Sequence, residues 1–179
     1  MNVNILHLFL IVLVALFNVL VTSSLSAEKL PKGEVVVSGD VSISQNEQSM
    51  IIDQSSNQAI IEWNSFDIGQ NNSVTFQQPL ISSSALNRVM SGNPTTLAGT
   101  LNANGNVFVV NENGVYFTPT SVISANSFAA STLAISNEDF LNNKYQFSID
   151  ALEFHLSSII NKGSITTLDG GFTALLGGA

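Results

Sequence analysis

"VFVVNENGVYF", residues Val107 to Phe117, sets two apolar, β-rich runs on either side of the polar tetrapeptide Asn111-Glu112-Asn113-Gly114. Val, Phe and Tyr favour a pleated, half-buried backbone. Within the break, Asn111 can close an Asx turn on its own backbone, and Gly114 can take a positive φ. Asn-Gly between apolar runs is also the strongest short hairpin signal. The stretch therefore turns the chain, and three uses compete for it: a hairpin, the corner of a coil, or a binding site.

The flanking sequence is built the same way. "EVVVSGDVSIS" alternates apolar and small polar residues, and "SMIID", "AIIEW", "SVTFQ", "TLAGTL" and "NVFVV" are short β-branched or aromatic runs. Between them lie "QSSNQ", "IGQNNS", "SGNPTT" and "NANGN", rich in the residues that make turns. Short strands at regular spacing suit a sandwich, a barrel or a solenoid. Internal repetition separates these. "GTLNANGNVFVV" from Gly99 lies over "GSITTLDGGFTALL" from Gly163, matching Gly99 to Gly163, Leu101 to Ile165 and Phe108 to Phe172. "TSVISANSFAASTLAIS" is a weaker relative. Apolar alternation, a polar corner and another strand make up one coil of a β-helix, whose inward positions stack into a continuous core. Asn and Ser suit the corners, where stacked amides bond from coil to coil.

"NEDFLNNKYQF", Asn137 to Phe147, breaks this pattern. Ser136 is a candidate N-cap with acids in the first turn after it, which predicts a short helix leaving the stack rather than a coil within it.

The chain begins differently. "ILHLFLIVLVALFNVLV", Ile5 to Val21, is apolar apart from His7 and Asn18, and "TSSLSA" follows with Ser24 and Ser26 two apart. Residues 1–26 read as a secretory signal peptide cleaved near Ser26 or Ala27. The competing reading is an uncleaved membrane anchor, since the run is nearly long enough to span a bilayer and no Lys or Arg precedes it. The rest, residues 27–179, is long enough for one domain with a real core. It has no cysteine, so disulfides and Cys-based metal sites are excluded. A net charge of −8, with one arginine and four lysines, repels a nucleic-acid backbone. Only 10% of the 179 residues are charged, and Asn, Ser, Thr and Gln take their place.

Four segments in one order carry a resemblance: "AIIEWNSFDIG", "VTFQQP", "SALNRVMSGNPTTLAGTLNANGNVFVVNENGVYF" and "FAASTLAISNEDFLNNKYQF". From about Gly33 to the last residue the chain resembles the N-terminal secretion domain of two-partner secretion exoproteins. This is the filamentous haemagglutinin N-terminal, or haemagglutination activity, domain. The resemblance implies an all-β, right-handed parallel β-helix with an N-terminal cap and extrahelical β elements. It implies a Gram-negative, secreted or cell-surface protein that passes the Sec machinery by its leader. It also implies an outer-membrane β-barrel transporter whose periplasmic POTRA domains capture the unfolded chain, which then folds outside and uses folding as a ratchet. The passenger would be an adhesin, haemolysin or contact-dependent toxin, which would supply any host or bacterial surface receptor. No cofactor and no metal is implied.

The family's Asn-Pro-Asn-Gly-Ile motif falls on the opening stretch. Asn111, Asn113 and Gly114 match it, Val115 stands for Ile, and Glu112 takes the place of Pro. Proline there would fix φ at the second turn position, whereas Glu permits it. The tetrapeptide is expected to be a turn between strands of the β-helix, with a hairpin at Asn113-Gly114 as the alternative, and a purely structural turn and a contact with the transporter both remain readings of these five residues. The second family motif, Asn-Pro-Asn-Leu, has no counterpart in this chain.

Catalytic readings fare worse. His155 in "ALEFHLSS", near Glu153, lacks a nucleophile elbow and reads as a strand or surface histidine. Asp53, Glu62 and Asp67 could suggest a polysaccharide-acting β-helical enzyme, the alternative to a secretion module, but they read as solvated acids. A free-standing adhesive module is the third reading. Asp169-Gly170-Gly171 resembles a calcium-binding nonapeptide that is not sustained. Arg88 reads as an ion-pair or carbonyl partner. Trp63 and Phe66 read as core and cap packing. Finally, "GGFTALLGGA" stops inside what reads as a further coil, so the sequence is expected to be a truncated piece of an exoprotein.

Overall fold

The computed structural model describes residues 29–148 and 157–178. The leader, His155 and Glu153 lie outside the described residues. Among the described residues, fifteen strands form three sheets and one short helix lies outside them. In chain order they are β1 (Val35–Ser38), β2 (Val41–Gln45), β3 (Ser49–Gln54), β4 (Gln58–Trp63), β5 (Ser73–Gln77), β6 (Ser84–Val89), β7 (Thr95–Leu97), β8 (Thr100–Ala103), β9 (Asn106–Val110) and β10 (Val115–Phe117). Then follow β11 (Val122–Ala125), β12 (Ser127–Ser131), α1 (Asn137–Leu141), β13 (Ile159–Asn161), β14 (Ser164–Thr167) and β15 (Thr173–Leu176).

The first sheet runs β1-β4-β6-β9-β12-β15, the second β2-β3-β5-β8-β11-β14, and the third β7-β10-β13. From β3 onward, consecutive strands in sequence therefore sit in different sheets, and each pairs with its counterpart one coil away. Ser84, Asn106 and Ser127 stack in one file, and Thr95, Val115 and Ile159 in another. These pairs are all parallel. The chain is a right-handed parallel β-helix, as the turn-separated strands and the resemblance led us to expect. Among the strand pairs of the described residues, only β1 on β4 and β2 on β3 are antiparallel, and they form the cap at the N-terminal end.

Alternation explains the core. Residues pointing into the helix from all three sheets form one cluster, which includes Met50, Ile52, Trp63, Val74, Phe76, Leu101, Phe117, Ile123 and Phe128. Trp63 and Phe66 meet edge to face at 5.4 Å, and the indole Nε1 donates to Asn87 Oδ1 at 3.0 Å. They are buried packing residues, as read from the sequence.

The predicted repeat is partly in register. Leu101 and Ile165 are both inward and stack through Ile123, and Gly99 and Gly163 flank Ser121 in one corner file. Phe108 does not stack on Phe172. It stacks through Ala129 on Ala174, because the corner before β15 (Leu168 to Phe172) is longer than the Asn104-Gly105 corner before β9. The run "TLAGTL" is also not one strand. It is β7 and β8 of different sheets, broken at Ala98-Gly99, where both amides donate to Ile68 O.

The chain leaves the stack after β12, as expected. Ser136 caps α1 by accepting from Asp139 N at 3.0 Å, and Ala134 pairs with Ser148 as the excursion returns. The excursion lies against the outer face of the first sheet. There Ile60, Leu86, Phe108, Val110, Ala129, Ile135 and Phe140 make a second apolar cluster. Phe108 is its hub, with ring centroids 5.4 Å from Phe140, 4.8 Å from Tyr145 and 6.2 Å from Phe172. Gln58 Nε2 ties the excursion down by donating to Phe140 O at 2.9 Å.

Amides line the corner between the second and first sheets. Gln78 donates to Gln54 Oε1 at 3.2 Å, its own Oε1 accepts from Gly105 N at 3.1 Å, and Asn126 Nδ2 donates to Asn106 Oδ1 at 2.8 Å. Asn104 grips the Gln78 backbone from both sides, accepting from its N at 2.7 Å and donating to its O at 2.6 Å. These bonds satisfy polar groups that the stack buries.

Candidate functional site

The tetrapeptide Asn111 to Gly114 is a corner between β9 of the first sheet and β10 of the third. β10 pairs with β7 and β13 and not with β9, so the hairpin reading is replaced by a coil corner. Gly114 N donates to Asn111 O at 3.0 Å, which closes a four-residue turn. Gly114 has φ +113, a region that a residue with a side chain enters only at a cost.

Asn111 organises the corner. It is 0% exposed, and its side chain makes an Asx turn by accepting from Asn113 N at 2.9 Å. Its Nδ2 donates to Asn93 O and to Thr95 Oγ1, both at 2.9 Å. Asn113 Nδ2 donates to Ser91 O at 2.9 Å. Gly114 O accepts from Thr95 N at 3.0 Å, and Val115 N donates to Ser158 O at 3.2 Å. The corner is thus bonded to the coil before it and to the coil after it. Val115 points inward and is buried in the main core. Glu112 makes no hydrogen bond among the described residues. Its side chain borders a cleft of about 250 Å³ shared with Arg88, Met90, Gly92 and Asn113.

The corner's partners Thr95, Asn93 O, Ser91 O and Ser158 O were not legible in the sequence. Thr95 is a buried hydroxyl in "SGNPTT", the segment one coil earlier at the same corner, and that equivalence was the available signal.

The candidate catalytic acids are not gathered. Glu62 lies 3.4 Å from Arg88 Nη1, Asp67 Oδ1 accepts from Thr96 N at 2.7 Å, and Asp53 is exposed on a strand of the second sheet. Arg88 also donates to Ile135 O at 2.8 Å, the ion-pair and carbonyl roles read for it. Asp169-Gly170 forms an exposed turn, with Gly171 N donating to Leu168 O at 2.9 Å. Among the described residues, no cluster of three or more His, Asp or Glu side chains could hold a metal.

Residues 27–179 match the TPS secretion domain. The chain belongs to that family. A TPS secretion domain of known structure, the HMW1 secretion domain from Haemophilus influenzae, superposes with a TM-score of 0.75 at 35% identity, over 83% of this chain and 39% of that one. The heme/hemopexin-binding protein of Haemophilus influenzae Rd is 44% identical over 107 residues, which are 60% of this chain and 12% of that protein. Another heme/hemopexin-binding protein from Haemophilus influenzae is 38% identical over 124 residues, 69% of this chain and 13% of the relative. This TPS domain therefore spans about an eighth of the length of the curated relatives it matches.

Proposed function

We propose that this domain is the secretion-targeting module of a large exoprotein of the adhesin, haemolysin or contact-dependent toxin type. The observation that carries the reading is the family match over residues 27–179. The leader, residues 1–26, takes the chain through the Sec machinery and is removed near Ser26. The start of the family match at residue 27 is consistent with that boundary. In the periplasm the unfolded chain is taken by the POTRA domains of a cognate outer-membrane β-barrel, and folding outside the cell holds it there.

The test is export of the chain from a Gram-negative host with and without the partner barrel. The expected result is a domain in the medium that begins near Ala27, present only with the barrel. Equal export in both hosts, or retention of Met1 in a membrane-embedded product, would overturn the reading.

Glu112→Pro is expected to keep or improve secretion through the same barrel. The Glu112 N–H donates to nothing among the described residues, so proline removes no bond. At the second turn position it also narrows the unfolded ensemble, a gain of about 0.4–1 kcal/mol. Urea unfolding of the purified variant checks the sign.

A further inference from the structure

We propose that Asn113-Gly114 is a deamidation site guarded by the fold: the side-chain amide that ties the corner to Ser91 is one that the unfolded chain loses. In an Asn-Gly pair the glycine nitrogen reaches the asparagine Cγ with no side chain in its way. Gly114 N attacks Asn113 Cγ, the new C–N bond closes a succinimide, and the Cγ–Nδ2 bond breaks. Ammonia leaves with the proton that Gly114 N gives up. Water then opens either carbonyl and leaves aspartate or isoaspartate.

The folded corner holds both reacting groups away from this step. Gly114 N donates to Asn111 O at 3.0 Å, and Asn113 Nδ2 donates to Ser91 O at 2.9 Å. Attack needs both bonds broken at once, on a buried glycine. The other Asn-Gly pair of the sequence, Asn104-Gly105, is held in the same manner. Gln78 occupies the Asn104 side chain at 2.6 and 2.7 Å and accepts from Gly105 N at 3.1 Å. Asp169-Gly170 is the contrast. It is exposed, and neither its carboxylate nor Gly170 N is hydrogen-bonded among the described residues. Isomerisation through the same succinimide is open there in the folded state.

The product matters because of what surrounds it. Aspartate at 113 has no proton to donate to Ser91 O, and it faces Asn111 Oδ1, 3.3 Å from the present amide nitrogen. Acceptor then opposes acceptor at a half-buried site. A chain that ages before it folds closes this corner without its bond to Ser91 and is less stable for it.

The test holds the domain in native buffer and, in parallel, in concentrated urea at mildly alkaline pH. Each sample is digested with chymotrypsin, and conversion at Asn113 and Asn104 is measured by mass spectrometry. Both sites should convert in urea. In the folded sample they should convert about ten-fold more slowly or less, since attack must wait for local opening. Asn113→Asp, purified in parallel, should show a lower urea midpoint than the parent. Equal conversion in the two samples, an unconverted Asn113 in urea, or an unchanged midpoint for Asn113→Asp would each overturn the proposal.

Discussion

Asn113→Ala combined with Gly114→Val is expected to reduce secretion of the domain through its barrel partner and leave more of it in the periplasm. Two losses combine. Valine at 114 must either adopt φ +113, where a β-branched residue is strained, or undo the turn. A Cβ there would also stand 3.1 Å from Ser158 O, the acceptor for Val115 N. Alanine at 113 strips Ser91 O of its donor. Together these cost about 2–4 kcal/mol, a large part of a typical domain's stability. The measurement is domain in the medium against the periplasmic pool, with the urea midpoint of the purified variant beside it. Normal stability with retention in the periplasm would point to direct reading of the motif by the transporter. Normal stability and normal secretion would remove the corner from both roles.

Phe108→Ala carries the largest expected loss of stability, about 3–5 kcal/mol, as for other buried aromatics cut to alanine. Phe108 is 1% exposed, and Phe140, Tyr145 and Phe172 all meet its ring, so no single neighbour can fill the space. The loss should be uneven in space. Residues 136–148 should become sensitive to limited proteolysis well before the stacked strands do, because the second cluster is what holds the excursion on the sheet. A loss under about 1 kcal/mol, or uniform protease resistance, would show that Gln58 and the Ala134–Ser148 pairing hold it without the aromatic hub.

What could be read from the sequence was whatever depends on near neighbours. Ser136 as a cap, Asn111 as an Asx turn and a positive φ at Gly114 involve residues within three positions of one another, and all appear in the structure. Hairpin against corner could not be separated at Asn113-Gly114 itself, which has the same local chemistry in both, and the corner was favoured by the repeat and the resemblance. The choice rests on Val115 pairing with Thr95 and Ile159, distant in sequence. The same limit explains the error at Phe172. Inward positions repeat, so Leu101 and Ile165 could be aligned by eye, but corner lengths are free to vary from coil to coil. The longer corner before β15 put Ala174, not Phe172, in line with Phe108.

The amide-lined corner gives the stack an arithmetic of its own. A strand added one residue out of place turns its apolar side chains outward, and the core rejects it. A strand two residues out of place presents the right face and passes that check. It fails at the corner. Asn126 no longer reaches Asn106 Oδ1, or Gln78 loses Gln54 and Gly105, at about 1–3 kcal/mol for each group left unpaired around the buried Gln78 and less at the half-buried Asn126. The sheet faces detect odd errors and the corner amides detect even ones, so a chain assembled coil by coil carries a parity bit and a second digit that confirms it.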